Sequence, residues 1–229
     1  MPRNSKSYCS GVTIGEFSDR DILCNVIAPD RPFFSVWEPC ETLIVLGRSN
    51  VAADEVYMHR AQQSSIRVLR RMGGGGAVVL SKGMLILTFS TMSNVLVNPS
   101  DVFNTVNMKI MSVLSSYGVR ELSLMGISDI CLNSKKILGS SLYLPQGGIV
   151  YTASLLFNCE LSDIEKYLKF PTRYPQYRAE RTHSEFLTTL YKEGYTMPAE
   201  SLAQSLMKSF CDMSKPALSI IEIYTRNPI

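Results

Sequence analysis

A run of four glycines at residues 73–76 constrains this chain more than any other feature of its sequence. Four residues without side chains cannot form the interior of a stable helix or strand, so the run predicts a loop. Arg70 and Arg71 precede it, and Ala77 and Val78 follow. Successive glycine N–H groups can form an anion-binding concavity, and arginine offers a fork of donors to phosphate or carboxylate. The sequence therefore predicts an oxyanion site here, with a flexible hairpin loop as the alternative.

The glycine run matches neither of two common nucleotide-binding loops. No G-K-[ST] follows it, which excludes a Walker A loop, and Val78 occupies the third glycine position of G-x-G-x-x-G. Any bound nucleotide must therefore be held by another type of fold.

A second polar segment, residues 126–141, contains a predicted hairpin with two adjacent lysines. Asn133 and Ser134 are typical of a hairpin turn, and Lys135 and Lys136 open the return strand. Side chains alternate across a strand, so only one of the two lysines can point into a pocket. The small residues that follow would let a ligand lie against the backbone: Gly139, Ser140 and Ser141.

Strand and helix signals alternate along the chain without an internal repeat. The predicted strands lie within residues 33–46, 66–69, 77–80, 84–90, 121–125, 129–138 and 149–157, with 77–80 and 84–90 forming a hairpin. The predicted helices cover residues 52–63, 101–117, 161–168 and 199–211, and another begins at the T-x-x-E capping box of Thr182. This order predicts an α+β fold with a mainly antiparallel sheet flanked by helices.

Composition excludes several classes of protein. Two histidines cannot build a His-rich metal site, and six cysteines without a C-x-x-C pair argue against a zinc knuckle. A net charge of +3 is too small to predict a nucleic-acid partner. Residues 1–6 lack a following apolar leader segment, and no uncharged apolar run of about 18 residues occurs. We therefore expect a reduced, cytoplasmic protein that neither spans nor binds a membrane.

Two motifs together resemble those of the lipoate–protein ligases, within the wider superfamily of biotin/lipoate ligases and octanoyltransferases. Residues 70–78 match R-R-x-[ST]-G-G-G-A-V, with Gly73 where Ser or Thr is usual. The pattern G-x-x-D-I…K-x-x-G matches Gly126, Asp129, Ile130, Lys136 and Gly139. Residues 152–156 and the Gly47-Arg48 pair are weaker matches, and the whole resemblance covers roughly residues 15–170. The chain resembles a divergent, compact member of this family.

The resemblance implies a reaction and its reactants. Such enzymes activate lipoate or octanoate with ATP to give an acyl-adenylate, and a lysine of a lipoyl acceptor domain then displaces AMP. Mg²⁺ would accompany ATP, held largely by phosphate oxygens and water, with no metal-ligating residues of the chain itself.

The resemblance also assigns roles to residues of this chain. Lys136 would be catalytic, since a compact ammonium can bridge the acyl carbonyl and the α-phosphate. The substrate-binding residues would be Arg70, Gly74, Gly75, Gly76, Ala77, Gly139 and Ser140. The nucleotide-binding residues would be Arg71, Val78, Lys82, Asp129, Lys136 and Thr152, with Asp129 on the adenine side.

Besides Gly73, the sequence departs from the family pattern at three places. Val79 to Met84 replace a stretch that usually carries an aromatic residue, His-Asp and Gly-Asn, so Lys82 is the candidate for the missing phosphate contact. Thr152 replaces a usual His, and Ile127-Ser128 replaces a common Arg-Asn. These departures concern mainly the nucleotide contacts.

Two other functions compete with the ligase. Octanoyltransferases use a cysteine nucleophile without ATP, but residues 145–150 contain none, which leaves Cys131 or Cys159 as a displaced nucleophile. The third hypothesis is a degenerate protein that only binds an acyl group or a lipoyl domain.

We expect residues 1–180 to form the catalytic domain and residues 181–229 a C-terminal helical extension, too short for the accessory domain of larger ligases. The partners would include a lipoyl acceptor, such as an E2 subunit or H protein, and the chain would either act alone or need a separate accessory polypeptide. The charged run 177–181 with His183 would either dock that acceptor or form a solvated approach to a helix.

Overall fold

The computed structural model describes residues 33–93 and 96–211 of the 229-residue chain. Its strands are β1 (Phe33–Trp37), β2 (Leu43–Leu46), β3 (Arg67–Arg70), β4 (Val78–Leu80), β5 (Met84–Met92), β6 (Leu122–Met125), β7 (Asp129–Leu132), β8 (Lys135–Tyr143) and β9 (Gly148–Leu156). Its helices are α1 (Ala52–Glu55), α2 (Met58–Gln63), α3 (Pro99–Ser116), α4 (Ser162–Tyr167), α5 (His183–Phe186) and α6 (Ala199–Cys211), with a 3₁₀ turn at Gln176–Arg178. The predictions for residues 1–6, Cys9, Cys24 and the segment after residue 211 lie outside the described residues.

Six strands form one antiparallel sheet in the order β1-β5-β9-β8-β7-β6. A second sheet of three strands has the order β3-β2-β4, with β2 parallel to β3 and antiparallel to β4. The predicted α+β class with a mainly antiparallel sheet is thus confirmed.

Strand β5 lies between two hydrophobic cores. Leu85, Leu87 and Phe89 face one core, which contains α3 and α6, whereas Met84 and Ile86 face the core beneath the small sheet. This period of two is what a strand buried on both faces requires, and it explains the continuous apolar run.

The predicted hairpin of residues 77–80 and 84–90 is wrong, because its two strands belong to different sheets. β4 pairs with β2, and β5 pairs with β1 and β9. At the turn between them Gly83 has a φ of +84°, its N–H donates to Glu38 at 2.7 Å, and its carbonyl accepts from the Asn158 N–H at 2.8 Å. These contacts direct the chain from one sheet to the other.

The predicted helix of residues 52–63 is two short helices instead. Val56, between α1 and α2, has an extended backbone and forms a bridge with Leu168. Its side chain is 1% exposed, so burial in the core overrides the local preference for a continuous helix.

Helix α3 matches its prediction closely. The Asn98 side chain accepts from the Ser100 N–H at 3.0 Å, Pro99 opens the helix, and Gly118 follows its end with a φ of +83°. Its buried face repeats at helical spacing through Val102 and Val106.

The segment beyond residue 180 packs on the large sheet. Phe210 of α6 stacks on Phe34 of β1 with ring centroids 3.9 Å apart, and Leu202 and Leu206 are fully buried in the same core. Among the described helices, none combines the length and apolar character needed to cross a bilayer.

Candidate active site

A cavity of about 600 Å³ opens on the face of the large sheet that carries the small sheet. Its wall combines the glycine loop after β3, the β6–β7 turn, the strands β8 and β9, and the segment 168–178 after α4. The volume is in the range of cavities that hold small-molecule ligands.

The glycine loop is wrapped around the buried guanidinium of Arg71. Its Nε and Nη2 donate to the Gly74 carbonyl at 3.2 and 2.7 Å, and Nη2 also donates to Gly76 at 2.9 Å. Nη1 donates to the Val45 carbonyl of β2 at 3.2 Å. Arg71 therefore ties the loop to the small sheet, and Gly75 turns the chain with a φ of +94°.

Arg70 braces the neighbouring turn rather than the cavity. Its Nη1 donates to the carbonyls of Gly47 and Asn50, at 2.8 Å each, and to that of Arg48 at 3.1 Å. A Cβ on Gly47 would overlap the carbonyl oxygen of Gly75, so glycine is needed where this turn meets the loop.

Lys136 reaches Asp129 across the backbone of Gly139. The Lys136 Nζ lies 2.9 Å from Asp129 Oδ1, and the Asp129 side chain is only 9% exposed. Gly139 pairs with Asp129 across the strands, and a Cβ on Gly139 would lie 2.6 Å from the Lys136 Nζ. Glycine at this position thus makes the ion pair possible.

A β-bulge places these groups on one face. Between Cys131 and Ile130, strand β8 advances by two residues, from Lys136 to Leu138, so that Ile137 is the extra residue. In a regular strand Lys136 and Gly139 would face opposite sides; the bulge brings them together and lets Ile137 and Leu138 both enter the core. The exposed Lys135 and the turn at Asn133-Ser134, with positive φ at both residues, agree with the predicted hairpin.

Tyr177 connects the segment 168–178 to this ion pair. Its hydroxyl donates to Asp129 Oδ2 at 2.7 Å and accepts from the Cys131 thiol at 3.6 Å. Burial and the neighbouring carboxylate raise the pKa of Tyr177, so it stays a neutral donor. Its ring lies 3.3 Å from where a Cβ on Gly126 would be, which packs the segment against the β6–β7 turn.

The cavity carries more cations than anions. The positively charged side chains in its wall are Arg71, Lys136, Lys169, Arg173 and Arg178. The carboxylates in its wall are Glu55 and Asp129, and both accept hydrogen bonds from the protein. This excess of positive charge favours an anionic ligand.

Most of the residues selected from the sequence meet in this wall. They are Arg71, Gly75, Gly76, Ala77, Val78, Asp129, Lys136, Gly139, Ser140 and Thr152. Three others lie elsewhere: Arg70 binds the turn described above, Gly74 is exposed, and Lys82 lines a separate hollow with Glu38 and Asp163. The placement of Lys82 corrects the idea that it replaces a missing contact in the cavity.

Sequence reasoning missed Glu55 and misread Arg178. Glu55 is 8% exposed, accepts from the Asn50 side chain at 3.0 Å and from the Ala77 N–H at 3.2 Å, and so holds the end of the glycine loop. No local pattern distinguishes it from a surface glutamate. Arg178 belongs to the charged run 177–181, which the sequence predicts either to dock the acceptor or to be solvated, yet it is 5% exposed. The apolar neighbours that bury it, Phe170 and Phe186, are the signal that was available.

Neither cysteine considered as a nucleophile lies in the cavity wall. Cys131 and Cys159 are both buried, and burial raises the pKa of Cys131 and raises that of Cys159 to about 12. A raised pKa suppresses the thiolate that attacks an acyl donor.

Three comparisons relate the chain to known proteins. Lipoate–protein ligase 2 of Staphylococcus aureus is 28% identical over 156 residues, which are 67% of this chain and 41% of that protein. The bipartite lipoate protein ligase of Thermoplasma acidophilum, solved in a study that includes its E2 lipoyl domain, has a TM-score of 0.72 at 19% identity, covering 91% of this chain and 85% of that one. A lipoate-protein ligase A bound with ATP has a TM-score of 0.71 at 20% identity, covering 91% and 87%.

The two solved structures establish the likeness of fold, and the chain spans less than half the length of the curated relative. The model of the family described as "Lipoyl protein ligase A/B catalytic domain" matches residues 17–211. That match covers most of the chain, which therefore belongs to the lipoyl protein ligase A/B catalytic-domain family.

Proposed function

We propose that this protein is a lipoate–protein ligase, which activates lipoate or octanoate with ATP and transfers the acyl group to the lysine of a lipoyl acceptor domain. The observation that carries the proposal is the Lys136 ammonium, held 2.9 Å from Asp129 in the cavity that the glycine loop encloses. Family membership and the likeness to a ligase bound with ATP support it.

The first step joins the acid to the nucleotide. A carboxylate oxygen of the acid attacks the α-phosphorus of ATP, the bond from that phosphorus to the bridging oxygen breaks, and pyrophosphate leaves. Negative charge must be screened as two anions approach, and the cationic wall supplies that screening.

The second step forms the amide. The neutral amine of the acceptor lysine attacks the acyl carbonyl, the carbon–oxygen bond to the phosphate breaks, AMP leaves, and the nitrogen loses a proton. Lys136 has three N–H donors, one of which serves Asp129. The others can bridge the carbonyl oxygen and an α-phosphate oxygen, where charge grows in the transition state.

The apolar part of the cavity suits a medium-length acyl chain. Val45 and Leu80 from the small sheet, Ile86 from β5 and Leu168 line it beside the glycine loop. Burying each methylene of an acyl chain there contributes about 0.8 kcal/mol.

Mg²⁺ has no evident protein cage in this part of the chain. The described residues contain no cluster of three or more His, Cys, Asp or Glu side chains that could hold a metal ion. Asp129 is paired with Lys136, and Glu55 accepts from Asn50 and Ala77. We therefore assign no step to a protein-bound metal, and in the proposal Mg²⁺ arrives on the phosphates of ATP.

The partners in this proposal are a lipoyl acceptor domain and, if the chain does not act alone, a separate accessory polypeptide. The first is suggested by the study of the Thermoplasma acidophilum ligase, which includes its E2 lipoyl domain, and the second by that ligase being bipartite. In this proposal residues 1–180 are the catalytic domain, and residues 181–229 are a C-terminal helical extension rather than a full accessory domain.

The decisive experiment is intact-mass analysis of an apo lipoyl domain incubated with the protein and lipoate, with and without ATP and Mg²⁺. A lipoyl mass gain only with ATP is the expected result. A gain from octanoyl-acyl carrier protein without ATP would replace the ligase by a transferase. No gain with either donor, even after addition of an accessory polypeptide, would leave a binding protein.

A further inference from the structure

Arg178 is a buried cation at the cavity wall, and no carboxylate of the described residues pairs with it. The residue is 5% exposed, and its guanidinium lies over two aromatic rings, 4.9 Å from the centroid of Phe170 and 4.8 Å from that of Phe186. Its Nε donates to the Arg181 carbonyl at 3.1 Å. Its Nη2 is buried without a hydrogen-bond acceptor anywhere in residues 33–93 and 96–211.

Of the other four cations in the wall, Arg173 is exposed to water, and each of the remaining three has a partner in the protein. Arg71, equally buried, makes four hydrogen bonds to carbonyls of the glycine loop and β2. Lys136 is paired with Asp129, and the Lys169 ammonium donates to the Ala53 carbonyl at 2.6 Å. Among these cations Arg178 is therefore distinguished by a buried guanidinium nitrogen, Nη2, that has no hydrogen-bond partner in the described residues.

Such an arrangement costs free energy in the ligand-free protein. An arginine removed from water loses hydration, and here no carboxylate within the described chain compensates for it. Burial also lowers the pKa of Arg178, although the group remains charged at neutral pH. The two aromatic rings offset part of the cost through cation–π attraction.

The backbone around Arg178 holds this fork in place. Arg178 and Arg181 exchange hydrogen bonds, each Nε donating to the other's carbonyl oxygen at 3.1 and 3.0 Å. Tyr177, the preceding residue, donates to Asp129, which links the segment that carries Arg178 to the ion pair of Lys136. A ligand that reaches the ammonium of Lys136 therefore lies in the cavity whose wall includes Arg178.

We propose that Arg178 binds an oxyanion of the reactants, either a phosphate of the nucleotide or the carboxylate of the acyl acid. The identity of these reactants rests on the proposed function, whereas the anion site itself does not. Planar, two-pronged binding of phosphate or carboxylate is what a guanidinium offers and an ammonium does not.

The test compares binding of three probes to the full chain by calorimetry: inorganic pyrophosphate, ATP and octanoate. Arg178→Met keeps the length and the contacts with Phe170 and Phe186 but removes the charge. We expect it to weaken binding of at least one probe about 10- to 100-fold, the range for a hydrogen bond to a charged group. A loss confined to pyrophosphate and ATP assigns the phosphate, and a loss confined to octanoate assigns the carboxylate.

The controls separate binding from folding and from overall charge. Arg120→Met removes the charge of an exposed arginine and should bind all three probes as the parent does. Ligand-free Arg178→Met should melt no lower than the parent, because an uncompensated buried charge is gone, yet it should lose the rise in melting temperature that the bound probe causes. If the Met variant does not fold, Arg178→Lys decides, since it retains the charge without the fork and should bind less tightly.

Two results overturn the proposal. The first is that Arg178→Met binds every probe with the affinity of the parent, or that Arg178→Lys does so if only that variant folds. The second is that the parent binds none of the probes. Failure of the proposed function is distinguishable. A parent protein that binds pyrophosphate through Arg178 but transfers no acyl group leaves the anion site standing and removes the ligase.

Discussion

Lys136 is the side chain on which the proposed chemistry depends, and its neighbour provides a matched control. Lys136→Ala should lower acyl transfer by at least about 100- to 1,000-fold, the usual effect of removing one group that stabilises developing charge. Lys135→Ala should retain most of the activity, because Lys135 is exposed on the other side of the strand. The mass assay of the acceptor domain measures both, and circular dichroism checks that each variant is folded. Parent-like transfer by Lys136→Ala would refute the mechanism.

Gly139 offers a test of the geometry rather than of the charge. A methyl group at this position would lie 2.6 Å from the Lys136 Nζ and must push the ammonium away from Asp129. We expect Gly139→Ala to lower the turnover number more than tenfold with a change in unfolding free energy below about 1 kcal/mol, since the clash is with the mobile end of a side chain. In Gly74→Ala the added Cβ would meet nothing within 4 Å, so its effect should be small. Equal activities for the two variants would contradict this geometry.

At the scale of single residues, motif spacing selected Lys136, which lies in the cavity wall, but it also selected Arg70 and Lys82, which lie elsewhere. The K-x-x-G spacing puts Lys136 and Gly139 on one face only because of the bulge at Ile137. The motif gives the residue types and their spacing, but it does not show that a bulge is present. Arg70 and Arg71 are adjacent in sequence, yet Arg70 donates to carbonyls of the turn after β2, and Arg71 donates to carbonyls of the glycine loop. Which arginine enters the cavity is decided by the path of the loop, which local sequence does not specify.

Among the short elements, α5 leads directly into the segment that hydrogen-bonds the backbone of Lys136. The Thr182 hydroxyl accepts from the Glu185 N–H, and the Glu185 carboxylate accepts from the Thr182 N–H at 2.8 Å, which completes the predicted capping box. The chain that leaves α5 pairs with β8, where the Thr188 N–H donates to the Lys136 carbonyl at 3.1 Å. A four-residue helix thus connects a surface cap to the active-site strand.

Removing the cap should loosen this connection. Thr182→Ala should lower the unfolding free energy by about 1 kcal/mol, measured by urea denaturation. Ser184→Ala, within the same turn, should cost less, because Ser184 accepts no backbone N–H of the helix in the structure. A larger loss for Ser184→Ala than for Thr182→Ala would show that the cap does not stabilise α5.

At the scale of elements, the sequence predicts helices and caps with strong local signals well, but it does not predict which strands pair. The periodic apolar face of α3 and the cap at Thr182 are encoded within a few residues. The partner strands of β4 and β5 are not encoded locally, because a short turn between two strands normally predicts that the two pair as a hairpin. Here Glu38 and Asn158, distant in sequence, hold Gly83 and separate the strands. The break at Val56 likewise comes from its bridge to Leu168.

For the molecule as a whole, α6 should unfold together with the sheet. Phe210 is 2% exposed and stacks on Phe34, so Phe210→Ala should lower the unfolding free energy of the whole domain by about 3–5 kcal/mol. Tyr191→Ala, at a side chain 50% exposed, should cost under about 1 kcal/mol. A single cooperative transition, shifted in the first variant, is expected in thermal denaturation. Separate melting of the helical signal would instead mark an independent appendage.

The molecule as a whole should also lose stability at alkaline pH. Burial raises the pKa of the Cys131 thiol, raises that of Cys159 to about 12, and raises that of the Tyr151 hydroxyl. These groups keep their protons in the folded protein after the unfolded chain has released them, so their contribution is intact below about pH 9 and falls as the pH rises above it. Urea unfolding between pH 8 and pH 11 should show this fall, and Cys159→Ala should reduce it. An unchanged slope in the variant would contradict the assignment.

The ion pair of Lys136 and Asp129 has a consequence for how the whole site fills. With no reactant bound, one of the three Lys136 donors already serves Asp129, which holds the ammonium in place. In the proposed reaction the acid and the nucleotide would each take one of the other two donors, so neither has to displace the carboxylate. The ammonium is thus preorganised: its side chain is ordered before the reactants arrive, and little conformational entropy is lost when they bind.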